Sequence, residues 1–181
     1  MRVEPAEIAD VLIIQPRVFA DERGFFLESY NRRAFREETG IDVEFVQDNH
    51  SRSAQNVLRG LHYQIRQPQG KLVRVTVGEI WDVAVDLRAH SPTFGKWVAA
   101  TLDASSARCM WIPVGFAHGF VVLSEVAEVQ YKTTDYYAPA HERTLLWNDP
   151  ALAIAWPLAG EPILAAKDAA GKKLSVADTY A

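Results

Sequence analysis

The chain has a single cysteine, Cys109, so no disulfide can form within it. Flanked by Met110 and Trp111, that cysteine reads as a small core residue rather than a nucleophile. No apolar stretch approaches the ~20 residues needed to span a membrane as a helix. Met1 to Asp10 carries acids where a signal peptide would carry bases and an apolar segment. The expected setting is therefore cytoplasmic. Charge of one sign is scarce too: the net charge is −4 with no long run of either sign. That argues against nucleic acid or an anionic membrane as the main partner, and leaves room for a local anion site where a few Arg and Lys converge. Internal repeats and low-complexity linkers are missing, so one domain over 1–181 is expected. Apolar residues at 49% and charged residues at 23% are sufficient for a sizeable core.

What is present is mainly short β-like runs separated by Gly, Pro, Asn and Asp. Val11–Ile14, Phe25–Tyr30, Val43–Gln47 and Val57–Tyr63 fit early strands. One helix is expected over Arg32–Thr39, capped by Asn31 and closed by Gly40. Lys71–Leu87 reads as a long hairpin turning at Gly78-Glu79: Val73, Val75 and Val77 alternate with Arg74 and Thr76. On its second arm, Trp81, Val83, Val85 and Leu87 alternate with Asp82, Ala84 and Asp86. Trp97–Leu102, Cys109–Ile112, Gly119–Leu123 and Glu128–Lys132 complete the set. Many close strands with one convincing helix predict an all-β jelly-roll barrel. From about Pro139 the pattern loosens into an Ala- and Pro-rich segment, expected as coil and short helix wrapped on the barrel.

Strand parity exposes side chains on the wrong face. Lys71 shares its face with the inward valines, and a lysine facing a barrel interior is costly unless paired or set in a wet pocket. Tyr131 alternates with the polar residues of Glu128–Lys132 and points inward; Phe116, His118 and Phe120 share one parity. Each has a plain alternative: a lysine at a strand end snorkels, a tyrosine packs, a core histidine is satisfied. The segment Gln47-Asp48-Asn49-His50-Ser51-Arg52-Ser53 is dense in hydrogen-bonding groups and also fits a turn. In Val57–Gln64, Arg59, Gly60 and His62 interrupt a strand-like run, and strand glycine permits a close backbone or ligand approach. A metal-binding barrel of the cupin type would offer His-x-His here; position 64 is Gln, so no metal is expected.

Asp21 to Glu28, Val57 to Gln64, Gly78 to Arg88, Trp111 to Phe120 and Tyr131 to Tyr137 together resemble the motifs of dTDP-4-dehydrorhamnose 3,5-epimerases. The resemblance runs in order from about Val11 to Asp168. It implies a cupin-like jelly roll, a homodimer, and epimerisation beside a ketone without metal or cofactor. By that similarity His62 is the general base, Asp168 the carboxylate orienting it, Tyr131 the general acid and Lys71 the stabiliser of the enolate oxygen. Arg23, Glu28, Gln47, Asp48, Asn49, Arg59, His118, Glu142 and Lys167 are implied to hold nucleotide and sugar, with Tyr137 stacking on the base. After Asp168 the chain departs from the family pattern: Gly171-Lys172-Lys173-Leu174 lacks the expected proline. The chemistry agrees with these roles. Inverting a carbon beside a ketone needs a base on one face, an acid on the other, and positive charge where the enolate forms. Rival readings are a 3- or 5-mono-epimerase of a related dTDP-deoxysugar, a non-catalytic nucleotide-sugar-binding cupin, and a metal-dependent cupin oxygenase.

Overall fold

The computed structural model covers residues 1–181. The chain runs β1 (Arg2–Pro5), β2 (Leu12–Gln15), β3 (Val18–Asp21), β4 (Gly24–Leu27), α1 (Arg32–Thr39), β5 (Gln47–Ala54), β6 (Leu58–Gln64), β7 (Lys71–Val77), β8 (Glu79–Asp86), β9 (Trp97–Asp103), β10 (Cys109–Ile112), β11 (Phe116–Val122), β12 (Val126–Thr133), β13 (Glu142–Thr144) and α2 (Ala166–Ala169). A six-stranded sheet, β1-β2-β10-β7-β12-β5, faces a five-stranded one, β13-β6-β11-β8-β9; β3 and β4 form a separate two-stranded ribbon. The architecture is the expected cupin-like jelly roll. No helix is long and apolar enough to cross a membrane.

Between the sheets lies a core that includes Val73, Val75, Ile112 and Val129 from one side and Ile80, Ala84, Val98 and Phe120 from the other. A second cluster lies on the outer face of the five-stranded sheet. There Leu61, Val83, Val85 and Leu87 are covered by Leu145, Leu152, Trp156 and Tyr180 of the C-terminal segment. The outer face of the six-stranded sheet is covered by α1, whose Phe35 packs with Leu72, Cys109 and Trp111. Burying that phenylalanine contributes about 1.5–3 kcal/mol. The helix forms where its capping signals place it: the Asn31 side chain accepts from Ala34 N–H at 3.2 Å, and Gly40 in the left-handed region donates to Arg36 C=O. Cys109 is buried, and burial pushes its thiol up to about 11, which suits packing rather than nucleophilic attack.

Two expectations need correction. Lys71–Leu87 is not a hairpin, since β7 pairs with β10 and β12, whereas β8 pairs with β11 and β9. Gly78 carries the chain from one sheet to the other at φ +74°, where an added Cβ would sit 2.0 Å from Val126 C=O. Alternation reports which face of a strand is buried, not which strand lies beside it. The second correction concerns Val43–Gln47: the strand begins at Gln47 and covers the polar stretch Gln47–Ala54. Phe45 instead joins Tyr30, Phe35 and Trp111 in an aromatic cluster over the sheet.

Candidate active site

The site grows from an irregularity in β6. In a regular strand, residues three apart point to opposite faces. Arg59 and His62 nevertheless both line one cavity of about 360 Å³. The register between β6 and β11 shifts between the His118↔His62 and Phe120↔Arg59 pairs. At the shift Gly60 holds φ +121°, and an added Cβ there would lie 2.5 Å from Gly119 Cα. The close backbone approach expected of a strand glycine is real, and it brings two candidate side chains into one pocket. His62 Nε2 meets Asp168 Oδ1 at 2.5 Å; the histidine side chain is 24% exposed and the aspartate 2%. Asp168 sits on α2; just beyond that helix, Leu146 N–H→Lys172 C=O and Lys172 N–H→Thr144 C=O tie the following residues to the end of β13.

Across the cavity, the six-stranded sheet supplies Lys71 and Tyr131. They lie on neighbouring strands with Tyr131↔Val73 and Thr133↔Lys71 in register, so both project inward as parity predicted. Lys71 is buried, and its Nζ donates to His62 C=O at 3.3 Å. Burial lowers its ammonium pKa to about 8, against the pull of Asp82 and Glu142. Burial likewise raises the Tyr131 hydroxyl, which keeps it protonated. His118 is buried beside His62, and its Nε2 lies 2.6 Å from Asp82 Oδ1. Burial pushes this imidazole down, and Asp82 offsets part of that. Asp82 is a residue the sequence reading missed. Alternation sets it on the polar face of β8, yet that face is the barrel interior, shared with Ile80 and Ala84. Its Oδ2 is buried and has no protein partner. A carboxylate in mid-strand, between Ile80-Trp81 and Val83-Ala84, was the available signal.

The cavity mouth carries Tyr137, Glu142 and Lys167. Tyr137 O–H donates to Glu142 Oε2 at 3.1 Å, and Lys167 Nζ donates to Glu142 Oε1 at 2.8 Å. Burial works against the Glu142 charge, but the Lys167 ion pair holds the carboxyl below its ordinary value. Gln47 and Asn49 line the cavity from alternate positions of β5 and bond each other at 2.9 Å. Arg59 Nε donates to Ser53 Oγ at 3.0 Å.

Three expected contacts are not brought there. Asp48 lies between Gln47 and Asn49 on the opposite face of β5 and pairs with Lys132 at 2.8 Å, because side chains alternate along a strand. Arg23 is on the β3–β4 ribbon, 85% exposed and paired with Asp21. Glu28 follows the same ribbon, and neither residue lines the cavity.

A family model described as dTDP-4-dehydrorhamnose 3,5-epimerase matches residues 5–176. The Pseudomonas aeruginosa dTDP-4-dehydrorhamnose 3,5-epimerase is 63% identical over 180 residues, covering 99% of each chain. That of Salmonella typhimurium is 58% identical, covering 98% of this chain and 97% of its own. Among solved structures, the Legionella pneumophila dTDP-6-deoxy-D-glucose-3,5-epimerase in complex with dTDP-4-keto-L-rhamnose superposes with a TM-score of 0.96 at 52% identity, covering 98% of this chain and 94% of its own. A match from residue 5 to 176 spans β2 to α2, which includes every element that builds the cavity. The chain belongs to the dTDP-4-dehydrorhamnose 3,5-epimerase family.

Proposed function

We propose that this chain inverts C3 and C5 of dTDP-4-keto-6-deoxy-D-glucose to give dTDP-4-keto-L-rhamnose, a step toward dTDP-L-rhamnose. The observation that carries the reading is the opposition of the two sheets: a His62–Asp168 pair on one side, Tyr131 and the buried Lys71 on the other. His62 removes the proton from the carbon beside the C4 ketone. The bonding pair moves onto the C4 oxygen, and the enolate is met by the Lys71 ammonium. Tyr131 O–H then returns a proton to the opposite face of that carbon. His62 is left as imidazolium and Tyr131 as phenolate, and proton exchange with water resets both. Every proton and counter-charge in this scheme comes from a side chain, so no metal or cofactor enters it. The nucleotide is held by Arg59 at the pyrophosphate, with Gln47, Asn49, Glu142 and Lys167 around it and Tyr137 against the base.

The test is turnover in deuterium oxide, with label at C3 and C5 followed by NMR. Label at both carbons with a rhamnose-configured product is the expected result. Label at one carbon would reassign the protein to mono-epimerisation. No exchange despite nucleotide binding would leave only a binding protein.

The working unit in this reading is a homodimer whose β3–β4 ribbon reaches the partner's cavity. The ribbon pairs with no other strand of its own chain and exposes Phe25 and Phe26, each 70% accessible. A lone two-stranded ribbon is marginal in water, and bare aromatic rings favour a covering surface. Such a reach would bring Arg23 and Glu28 to a substrate they do not approach within their own chain. Co-expression of Arg23→Ala with His62→Ala should then restore activity, because one of the two mixed pockets regains both residues. If the ribbon serves its own chain, the mixture stays as inactive as its parents. We place the protein in the cytoplasm, in keeping with a lone cysteine that is buried and free.

A further inference from the structure

Tyr137 is 53% exposed, so packing does little to set its ring position. Apart from the O–H bond to Glu142 at its far end, its place depends on the backbone of residues 135–138, and that backbone is held largely by glutamine amides. Gln69 Nε2 donates to Asp135 C=O at 2.8 Å. Gln47 Oε1 accepts from Tyr137 N–H at 2.9 Å. Gln64 makes three backbone bonds, two of them to this stretch: its Nε2 donates to Tyr136 C=O at 3.2 Å and its Oε1 accepts from Ala138 N–H at 2.8 Å, while the other Nε2 proton goes to Gln67 C=O at 2.7 Å. The bonds of Gln64 bracket Tyr137 on both sides in sequence.

Gln64 is 4% exposed and lines the cavity. Both of its amide protons and one oxygen lone pair are already engaged, which leaves little with which to hold a substrate. Only an amide meets this demand: a carboxylate offers no donor for the two carbonyls, and an imidazole cannot serve all three groups. We infer that Gln64 is a positioning residue that acts through the Tyr136–Ala138 backbone, presenting the Tyr137 ring as a preformed platform for a planar nucleobase. The inference rests on the proposed stacking role of Tyr137. A platform fixed before binding spares the ordering cost that an exposed aromatic loop would otherwise incur with the ligand.

The experiment measures kcat and KM for the dTDP-4-keto-6-deoxy sugar, and inhibition by dTDP, in Gln64→Met, Gln64→Glu, Tyr137→Ala and the two double variants. Gln64→Met keeps the side-chain length and removes all three bonds. Gln64→Glu retains an acceptor for Ala138 N–H but sets a carboxylate against two carbonyls, so it serves if the methionine variant fails to fold. Each single Gln64 variant is expected to raise KM and the dTDP inhibition constant roughly fivefold or more, with a smaller change in kcat. In the Tyr137→Ala background the same substitution should add almost nothing. A Gln64 variant that leaves KM unchanged while Tyr137→Ala raises it overturns the inference alone. So does a Gln64 effect of equal size with and without the tyrosine ring, since it would then act elsewhere. If Tyr137→Ala itself leaves KM unchanged, the stacking reading fails and takes the inference with it.

Discussion

His62→Ala is expected to lower kcat by roughly 10²–10⁴-fold and to abolish deuterium incorporation at both C3 and C5. The expectation follows from the pair it forms with Asp168. An ionised carboxylate can only accept, so at 2.5 Å it holds the proton on His62 Nε2 and leaves the lone pair on Nδ1 to take up substrate protons. Asp168 is 2% exposed, so the orientation is enforced by a group that water does not displace. Asp168→Asn should therefore reduce kcat as well, and adding it to His62→Ala should cost almost nothing further, because the two act as a unit. The discriminating measurement is exchange at the two carbons rather than product formation alone. Retention of exchange at either carbon within tenfold of wild type in His62→Ala would assign the base elsewhere.

Lys71→Met is expected to cost roughly 10²–10³ in kcat, the usual size for removing one preorganised donor to a developing oxyanion. Nothing in the fold alone calls for this ammonium. It is buried, its one hydrogen bond is a 3.3 Å contact to His62 C=O, and burial lowers its pKa to about 8. A cation kept at such a cost implies a task, and enolate stabilisation supplies one.

The pH dependence has a definite sign. Below about 8 the ammonium is charged, so with Lys71 in the proposed role activity is expected to fall as pH rises through that value. Stability moves the other way. The folded protein binds the proton less tightly than the unfolded chain, so stability rises between about 8 and the ordinary lysine value of 10.5. Lys71→Met should accordingly melt no lower than wild type at neutral pH while being nearly inactive. The charged groups that act on Lys71 are Asp82 and Glu142, which favour its charge, and Lys167, which opposes it. Asp82→Asn should thus move the alkaline limb of the rate profile to lower pH. An unshifted limb would mean that a different group titrates there.

Much of the site was legible in strand parity. Lys71, His118 and Tyr131 project inward as alternation along their strands predicts, and the helix at Arg32–Thr39 starts and stops at its capping residues. Other features were hidden for identifiable reasons. Gln47–Ser53 looks like a turn because it has little to bury. It is in fact a strand with one face on a wet cavity and the other on the outer surface of the sheet, so neither face demanded apolar residues. Asp48, expected at the cavity with Gln47 and Asn49, turns instead to Lys132, because adjacent strand residues point to opposite faces.

By itself, then, the sequence determined most of the local states: most of the strand runs, where α1 is capped, and several of the polar side chains that break an inward-facing row. Its ordered motifs also carried the family resemblance. Tertiary structure alone decided which strands are neighbours, placing β7 and β8 in different sheets. It decided that a shift at Gly60 turns Arg59 and His62 to one side, and that α2 delivers Asp168 to His62 across 106 positions of chain. Periodicity depends on a strand's own burial and survives in its residues. Pairing, register shifts and long-range contacts depend on how whole faces pack together, and no single stretch of chain records them.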